Sequence, residues 1–200
     1  SRGDQLAVLF ADQRLCWSEF SARVNQLANA LQARGIGKDD KVATALPNSM
    51  ELLVIYWATI SIGAVLVPLS SLLNAGGLVN LLNNADARLL FLTAALMGDI
   101  ESQLDEIESI PSENYIRVGA TDVGASDHFA FIDGHSDLPP AYPELQQEDL
   151  FNIVYSSGTT GLPKGIMHSH LVRTQYGSHF AASFRMTPES VVLHTGSIVF

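Results

Sequence analysis

The chain holds a single cysteine, Cys16, so no internal disulfide is possible. That economy fits a reducing compartment, and a cytoplasmic location is expected. Cys16 itself reads as a small buried apolar residue and not as a catalytic thiol. Bases are also scarce: 11 Lys and Arg stand against 21 Asp and Glu, a formal net charge of −10. A surface this acidic excludes nucleic acid as the expected partner. Internal repeats and low-complexity tracts are missing too. Leu52–Leu69 is eighteen residues without a charge, just long enough to raise a membrane span. Thr59, Ser61, Gly63 and Pro68 interrupt it, and no basic flank orients it. It reads better as a buried helix from Met50 to Ile62, a turn at Gly63 and a buried strand Ala64–Val67, so no membrane span is expected.

The charges that are present are unevenly placed. Asp99 to Asp149 carries thirteen acids and one base, Arg117, and reads as a solvated face. Leu150 to Pro188 carries no acid, while Lys164, Arg173 and Arg185 fall within it. A polyanion is repelled by the first segment and tolerated by the second.

The tolerant segment contains Ser156-Ser157-Gly158-Thr159-Thr160-Gly161-Leu162-Pro163-Lys164-Gly165, directly after the apolar run Phe151-Asn152-Ile153-Val154-Tyr155. Hydroxyls and bare N–H groups donate to phosphate oxygens, glycines let backbone approach closely, and the lysine adds a mobile positive charge. A Walker loop needs Gly, four residues, then Gly-Lys-Ser/Thr. Five residues on from Gly158 stands Pro163, and Gly165 follows Lys164, so that pattern fails. Pro163 also lacks the N–H that a helix-start anion nest uses. The decapeptide reads as a strap between two strands that grips a polyphosphate; the bland alternative is a Ser/Gly/Thr-rich surface turn.

Elements alternate along the chain. Leu6–Phe10 is strand-like. Ser18 is a candidate cap for a helix with Phe20, Val24, Leu27, Ala28 and Leu31 on one face, closed by Gly35. Lys41–Leu46 reads as a strand ended by Pro47, Ser70-Ser71 as a turn, Leu78–Leu82 as helix and Arg88–Thr93 as strand. Leu96, Ile100, Leu104 and Ile107 mark one helix face that Pro111 stops. Asn114–Val118 reads as a short strand and 119–147 as long loop. Strands Phe151–Ser156 and Gly165–His170, helix Leu171–Phe184 and strand Val191–Thr195 complete an α/β architecture of mostly parallel sheets flanked by helices. His168 and His170 alternate on one strand and could share a metal, but the spacing supplies no third ligand. They read as structural or surface histidines, and no metal site is assigned.

The order Ser-Ser-Gly-Thr-Thr-Gly-x-Pro-Lys-Gly, with Tyr155 before it and Ile166-Met167-His168-Ser169-His170 after it, resembles the signature loop of the adenylate-forming (AMP-binding) enzymes, acyl- and aryl-CoA synthetases among them. Leu15–Phe20, Lys41-Val42-Ala43, Pro47-Asn48-Ser49 and Ile62–Leu69 fall in that family's usual order. The resemblance implies the first part of the large N-terminal domain of an acid–CoA ligase. Such an enzyme joins a carboxylic acid to ATP with Mg2+, then passes the acyl group to coenzyme A. It implies that Ser156, Ser157, Thr159 and Thr160 donate to phosphate oxygens, that Gly158 and Gly161 permit close approach, and that Lys164 neutralises leaving-group charge. With three glycines, no periodic apolar anchor and donors that lack a partner until phosphate arrives, the strap is expected to be mobile when empty. Members of the family are more than twice this length, so residues 1–200 are expected to be a partial AMP-binding domain, clipped at its start and inactive alone, with no catalytic residue of its own. A peptide-synthetase adenylation domain, another acyl-adenylate enzyme and a non-catalytic nucleotide-binding module are the alternatives.

Overall fold

The structure, a computed structural model, describes residues 2–119, 127–156 and 163–198. Strands β1 (Leu6–Phe10) and β2 (Gln13–Cys16) pair as an antiparallel ribbon ahead of helix α1 (Trp17–Ala33). Then follow β3 (Lys41–Ala45), α2 (Met50–Ser61), β4 (Val65–Leu69), α3 (Ala75–Ala85), β5 (Ala87–Leu92), α4 (Ala94–Ile100), β6 (Tyr115–Arg117), α5 (Asp127–Ile132), β7 (Leu150–Ser156), β8 (Lys164–Ser169) and α6 (His170–Ser183). The main sheet has the order β6-β5-β3-β4-β7-β8. Its first five strands are parallel, and β8 pairs antiparallel with β7.

Strand composition follows from burial on both faces. Val42 and Leu66 join Leu27, Leu31 and Ile55 of α1 and α2 in one core. Their chain neighbours Ala43, Val65 and Val67 join Leu78 and Leu82 of α3 in the other. Successive side chains point to opposite faces, so a strand covered on both sides must be apolar throughout. All five residues of β4 are buried for this reason. Most of the eighteen uncharged residues are therefore core, with Trp57 exposed on α2, and among the described residues no helix is long and apolar enough to cross a membrane.

Several expectations need correction. The cap of α1 is Cys16, whose backbone N–H donates to Glu19 Oε2 at 2.9 Å, while Ser18 Oγ donates instead to the Gly3 carbonyl. The helix begun by α4 does not run to Ile107: Glu101–Glu106 tighten into 3-10 turns. Leu104 and Ile107 still pack inward, because a three-residue spacing suits the 3-10 period. Val191–Thr195 form no strand, and Val191, Val192 and Leu193 are exposed with no ladder to join among the described residues. The segment read as long loop contains α5, whose Phe131 packs edge-on against Phe91 with Arg34 over its ring. Beyond α5 the chain runs along α1, where Asn25, Asn29 and Gln32 donate side-chain amides to the carbonyls of Asp137, Ser136, Leu138 and Ala141. The polar stripe of α1 is thus a docking rail and not a solvent face.

Lys38 closes that run onto the sheet, pairing with Asp149 at 2.7 Å just before β7. The Lys38 ammonium, helped by the Gln146 N–H, holds the Asp149 carboxyl below its ordinary range. Gly63, which turns α2 into β4, has φ +74, and an added Cβ would sit 3.0 Å from both Leu145 Cδ2 and Pro143 Cγ. Gly35 has a similar φ of +78 with open space around it. Gly35→Ala is expected to cost only the left-handed backbone penalty, ~1–2 kcal/mol. Gly63→Ala adds overpacking worth ~1–3 kcal/mol. Urea denaturation of the two variants side by side checks the order, and equal losses would mean the crowding at Gly63 is relieved without strain.

Candidate functional site

The carboxyl ends of the parallel strands lie on one side of the sheet, the side where α/β proteins bind their ligands. Ser156 ends β7 there, and Lys164 begins β8 directly opposite as its ladder partner. The two described ends of the strap are therefore held as one rung. Lys164 is exposed and makes no ion pair among the described residues. Ser157, Gly158, Thr159, Thr160 and Gly161 lie outside the described residues, as does the expectation of their mobility.

Just inside that rung, Tyr155 donates its hydroxyl to Asn84 Oδ1 of α3 at 2.6 Å, and burial pushes its pKa up. Gly165 faces it across the ladder. A Cβ there would lie 3.0 Å from Ile153 Cγ2 and 3.4 Å from the Tyr155 ring. The last glycine of the decapeptide is thus required by packing beneath the strap, whatever the strap binds.

Alternation divides β7 between two environments. Ile153 and Tyr155 pack toward α3. Asn152 and Val154 line a cavity of about 420 Å3 on the opposite face, with Tyr56 and Trp57 of α2 and Arg173 and Tyr176 of α6. Ser156 continues the Asn152–Val154 series two residues on, so strap and cavity share one face of the strand. On β8 the paired positions are Lys164, Ile166 and His168.

Asn152 is 1% exposed in an otherwise apolar strand and is the node of this face. Its Nδ2 donates to the Tyr56 hydroxyl at 3.0 Å. Its Oδ1 accepts from His168 Nδ1 at 2.9 Å and from Arg173 Nε at a longer 3.4 Å. Because the amide oxygen only accepts, Nδ1 carries the His168 proton. Burial pushes the His168 pKa down, and the neighbouring Arg173 charge adds to the shift. Arg173 lies over the rings of Phe151 at 5.8 Å and Tyr176 at 5.6 Å. His170 packs edge-on against Phe151, and its pKa is also lowered, by burial first, with Asp149 opposing.

Both histidines are thus packed into the structure, as expected of structural residues. Among the described residues no group of three His, Cys, Asp or Glu could hold a metal ion. The sequence reading missed Asn152, Tyr56 and Arg173 as a unit. The available signal was an amide inside an apolar strand, a group that must find partners when buried.

Neutral His168 and His170 are favoured by the fold, so protonation favours unfolding. Stability is expected to fall as pH drops from about 7.5 to about 5.5, through the imidazole range. His168→Gln should flatten that slope in urea titrations at the two pH values, and an unchanged slope would place the titration elsewhere.

A family model described as AMP-binding enzyme matches residues 1–200. The chain is 32% identical over 169 residues to the 3-hydroxybenzoate–CoA/4-hydroxybenzoate–CoA ligase of Thauera aromatica, covering 84% of this chain and 32% of that protein. It is 33% identical over 170 residues to tyrocidine synthase 3 of Brevibacillus parabrevis, covering 84% of this chain and 2% of that one. Among solved structures, ATP-bound MatB from Rhodopseudomonas palustris superposes with a TM-score of 0.85 at 26% identity, covering 99% of this chain and 38% of that one. The chain spans about a third of the length of the CoA ligase it matches.

Proposed function

The chain belongs to the AMP-binding enzyme family, and from that premise we propose that it is the phosphate-gripping part of an acid–CoA ligase acting in the cytoplasm. Residues 1–200 are taken as the first part of a larger AMP-binding domain, and the activity is that of the whole protein. The observation that carries this reading is the Ser156–Lys164 rung at the carboxyl end of the parallel sheet. It brings a hydroxyl and an ammonium to the two ends of one short strap, in a segment free of acids.

In the first step a carboxylate oxygen attacks the α-phosphorus of ATP, and the bond from that phosphorus to the bridging oxygen breaks. Pyrophosphate departs with the electron pair, leaving an acyl-adenylate. Negative charge accumulates on the leaving group as that bond opens, so donors already aimed at it stabilise the transition state more than the ground state. Ser156, Ser157, Thr159 and Thr160 supply hydroxyl donors to the β- and γ-phosphates, Gly158 and Gly161 let the backbone come close, and Lys164 supplies the charge. In the second step the thiol of coenzyme A attacks the acyl carbon and AMP leaves. Mg2+ accompanies ATP in such chemistry, and among the described residues no group of three His, Cys, Asp or Glu could hold it.

The tyrocidine synthase match supports a second reading, an adenylation domain of a peptide synthetase. The acceptor separates the two: release of acyl-CoA on adding coenzyme A supports the ligase, whereas loading of a carrier protein alone supports the second.

Lys164→Ala in the complete protein is expected to slow acid-dependent exchange of labelled pyrophosphate into ATP by about 10²-fold, while ATP affinity falls much less. A rise in the ATP KM with unchanged turnover would assign the lysine to ground-state binding alone. The isolated 200 residues are expected to give no exchange above background.

A further inference from the structure

The end of the sheet that carries the strap is lightly laced to the rest. Among the described residues, β4 and β7 are ladder partners at Leu66 and Asn152 alone. Beyond Asn152, from Ile153 to Ser156, β7 has only β8 beside it, from Met167 back to Lys164. Strand β8 is in turn the last of the sheet and pairs with no further strand among the described residues. The hairpin tip that ends in Ser156 and Lys164 therefore overhangs the last rung joining it to the parallel core.

One polar bond ties that overhang down. Tyr155 stands directly before Ser156, and its hydroxyl donates to Asn84 Oδ1 at 2.6 Å. No other side chain from 153 to 156 hydrogen-bonds to the rest of the sheet among the described residues. Ile153 packs into the α3 core, but apolar packing is non-directional, whereas a hydrogen bond fixes both distance and direction. The acceptor stands on a fixed element. Asn84 lies near the end of α3 between the buried Leu82 and Ala85. Its neighbour Asn83 clamps the same turn from outside: Nδ2 donates to the Glu106 carbonyl at 2.7 Å, and Oδ1 accepts from the Glu108 N–H at 3.3 Å.

We propose that Tyr155 and Asn84 are positioning residues, through whose bond α3 sets where the Ser156–Lys164 rung stands when pyrophosphate departs. The inference rests on the adenylation reading above and adds two residues that act from the face of β7 opposite Ser156. A displaced rung is felt most in the transition state. Ground-state contacts to a long, flexible polyphosphate survive a small shift, whereas charge gathering on the leaving group is met only by donors already in place. A displacement of about 1 Å in such a constellation can cost about 10²-fold, so loss of this one tie is expected to cost about tenfold in turnover.

The test is acid-dependent pyrophosphate–ATP exchange by the complete protein, run with a panel of aromatic, aliphatic and amino acids. Tyr155→Phe keeps the ring under Gly165 and removes only the donor; Asn84→Ala removes the acceptor from the other element. Each is expected to lower kcat by about tenfold while the ATP KM moves less than about threefold. The double variant should be no slower than either single one, because both remove the same bond. Gly35→Ala, outside the site and itself destabilising, is the control: assayed where circular dichroism shows every variant folded, it should keep the wild-type kcat. Unchanged kcat in both single variants, an equal fall in Gly35→Ala, or losses that add in the double variant overturn this inference and leave adenylation intact. So does a rise in the ATP KM with kcat preserved, which would make the tie a matter of ground-state binding. Absence of exchange by the wild-type protein with every acid overturns the adenylation reading and this one with it.

Discussion

Five parallel strands buried on both faces are the constraint from which the rest of this structure follows. A parallel neighbour is reached only by a crossover, and the crossover helix must cover one face of the sheet. Here α2 crosses on one face and α3 on the other, so each strand feeds two cores at once: Val42 one way, Ala43 the other. The same arrangement brings the carboxyl ends of β3, β4, β5 and β7 to one edge of the molecule. Binding groups gather there because the strands deliver loops to that edge and the helices occupy the faces.

Whatever depended on this alternation was legible in the sequence. The run from Leu52 to Leu69 could be divided into helix, turn and strand because a glycine and a proline punctuate it, and Gly63 does carry the positive φ. The α/β class and the two strands flanking the strap were readable from the same signals, while their antiparallel pairing was not. What was not legible depended on partners distant in sequence. Asn25, Asn29 and Gln32 look like the solvent stripe of an amphipathic helix, and only the return of residues 136–141 makes them donors. The strand-like Val191–Thr195 stays irregular for the complementary reason: apolar, branched residues make a strand only where a ladder receives them, and none does so among the described residues. At the site, Ser156 and Lys164 were visible as a motif, whereas the Asn152 cluster joins residues from α2, β7, β8 and α6 and has no local signature.

Asn152 also shows how a buried polar residue is tolerated between the apolar Phe151 and Ile153 of one strand. Its amide is satisfied from both sides, so the penalty of burying it is met by bonds that fix three neighbours. The cost is transferred to Tyr56 and Arg173, which spend one group each on the amide and keep others uncommitted among the described residues. A satisfied node with open donors at its rim is how a rigid scaffold presents hydrogen bonds to something outside itself.

Strand β8 explains why the strap and this cluster belong together. Had the chain continued in parallel after β7, a crossover would have carried Lys164 to the far end of the sheet, away from Ser156. The antiparallel return instead sets Lys164 against Ser156, Ile166 against Val154 and His168 against Asn152. One reversal thus aligns the charged rung with the cavity floor on a single face. Tyr155, bonded to Asn84 and closed over Gly165, anchors the other face to α3. The hairpin is braced where the sheet needs cohesion and open where a ligand needs access, and both follow from the two-residue period of a β-strand.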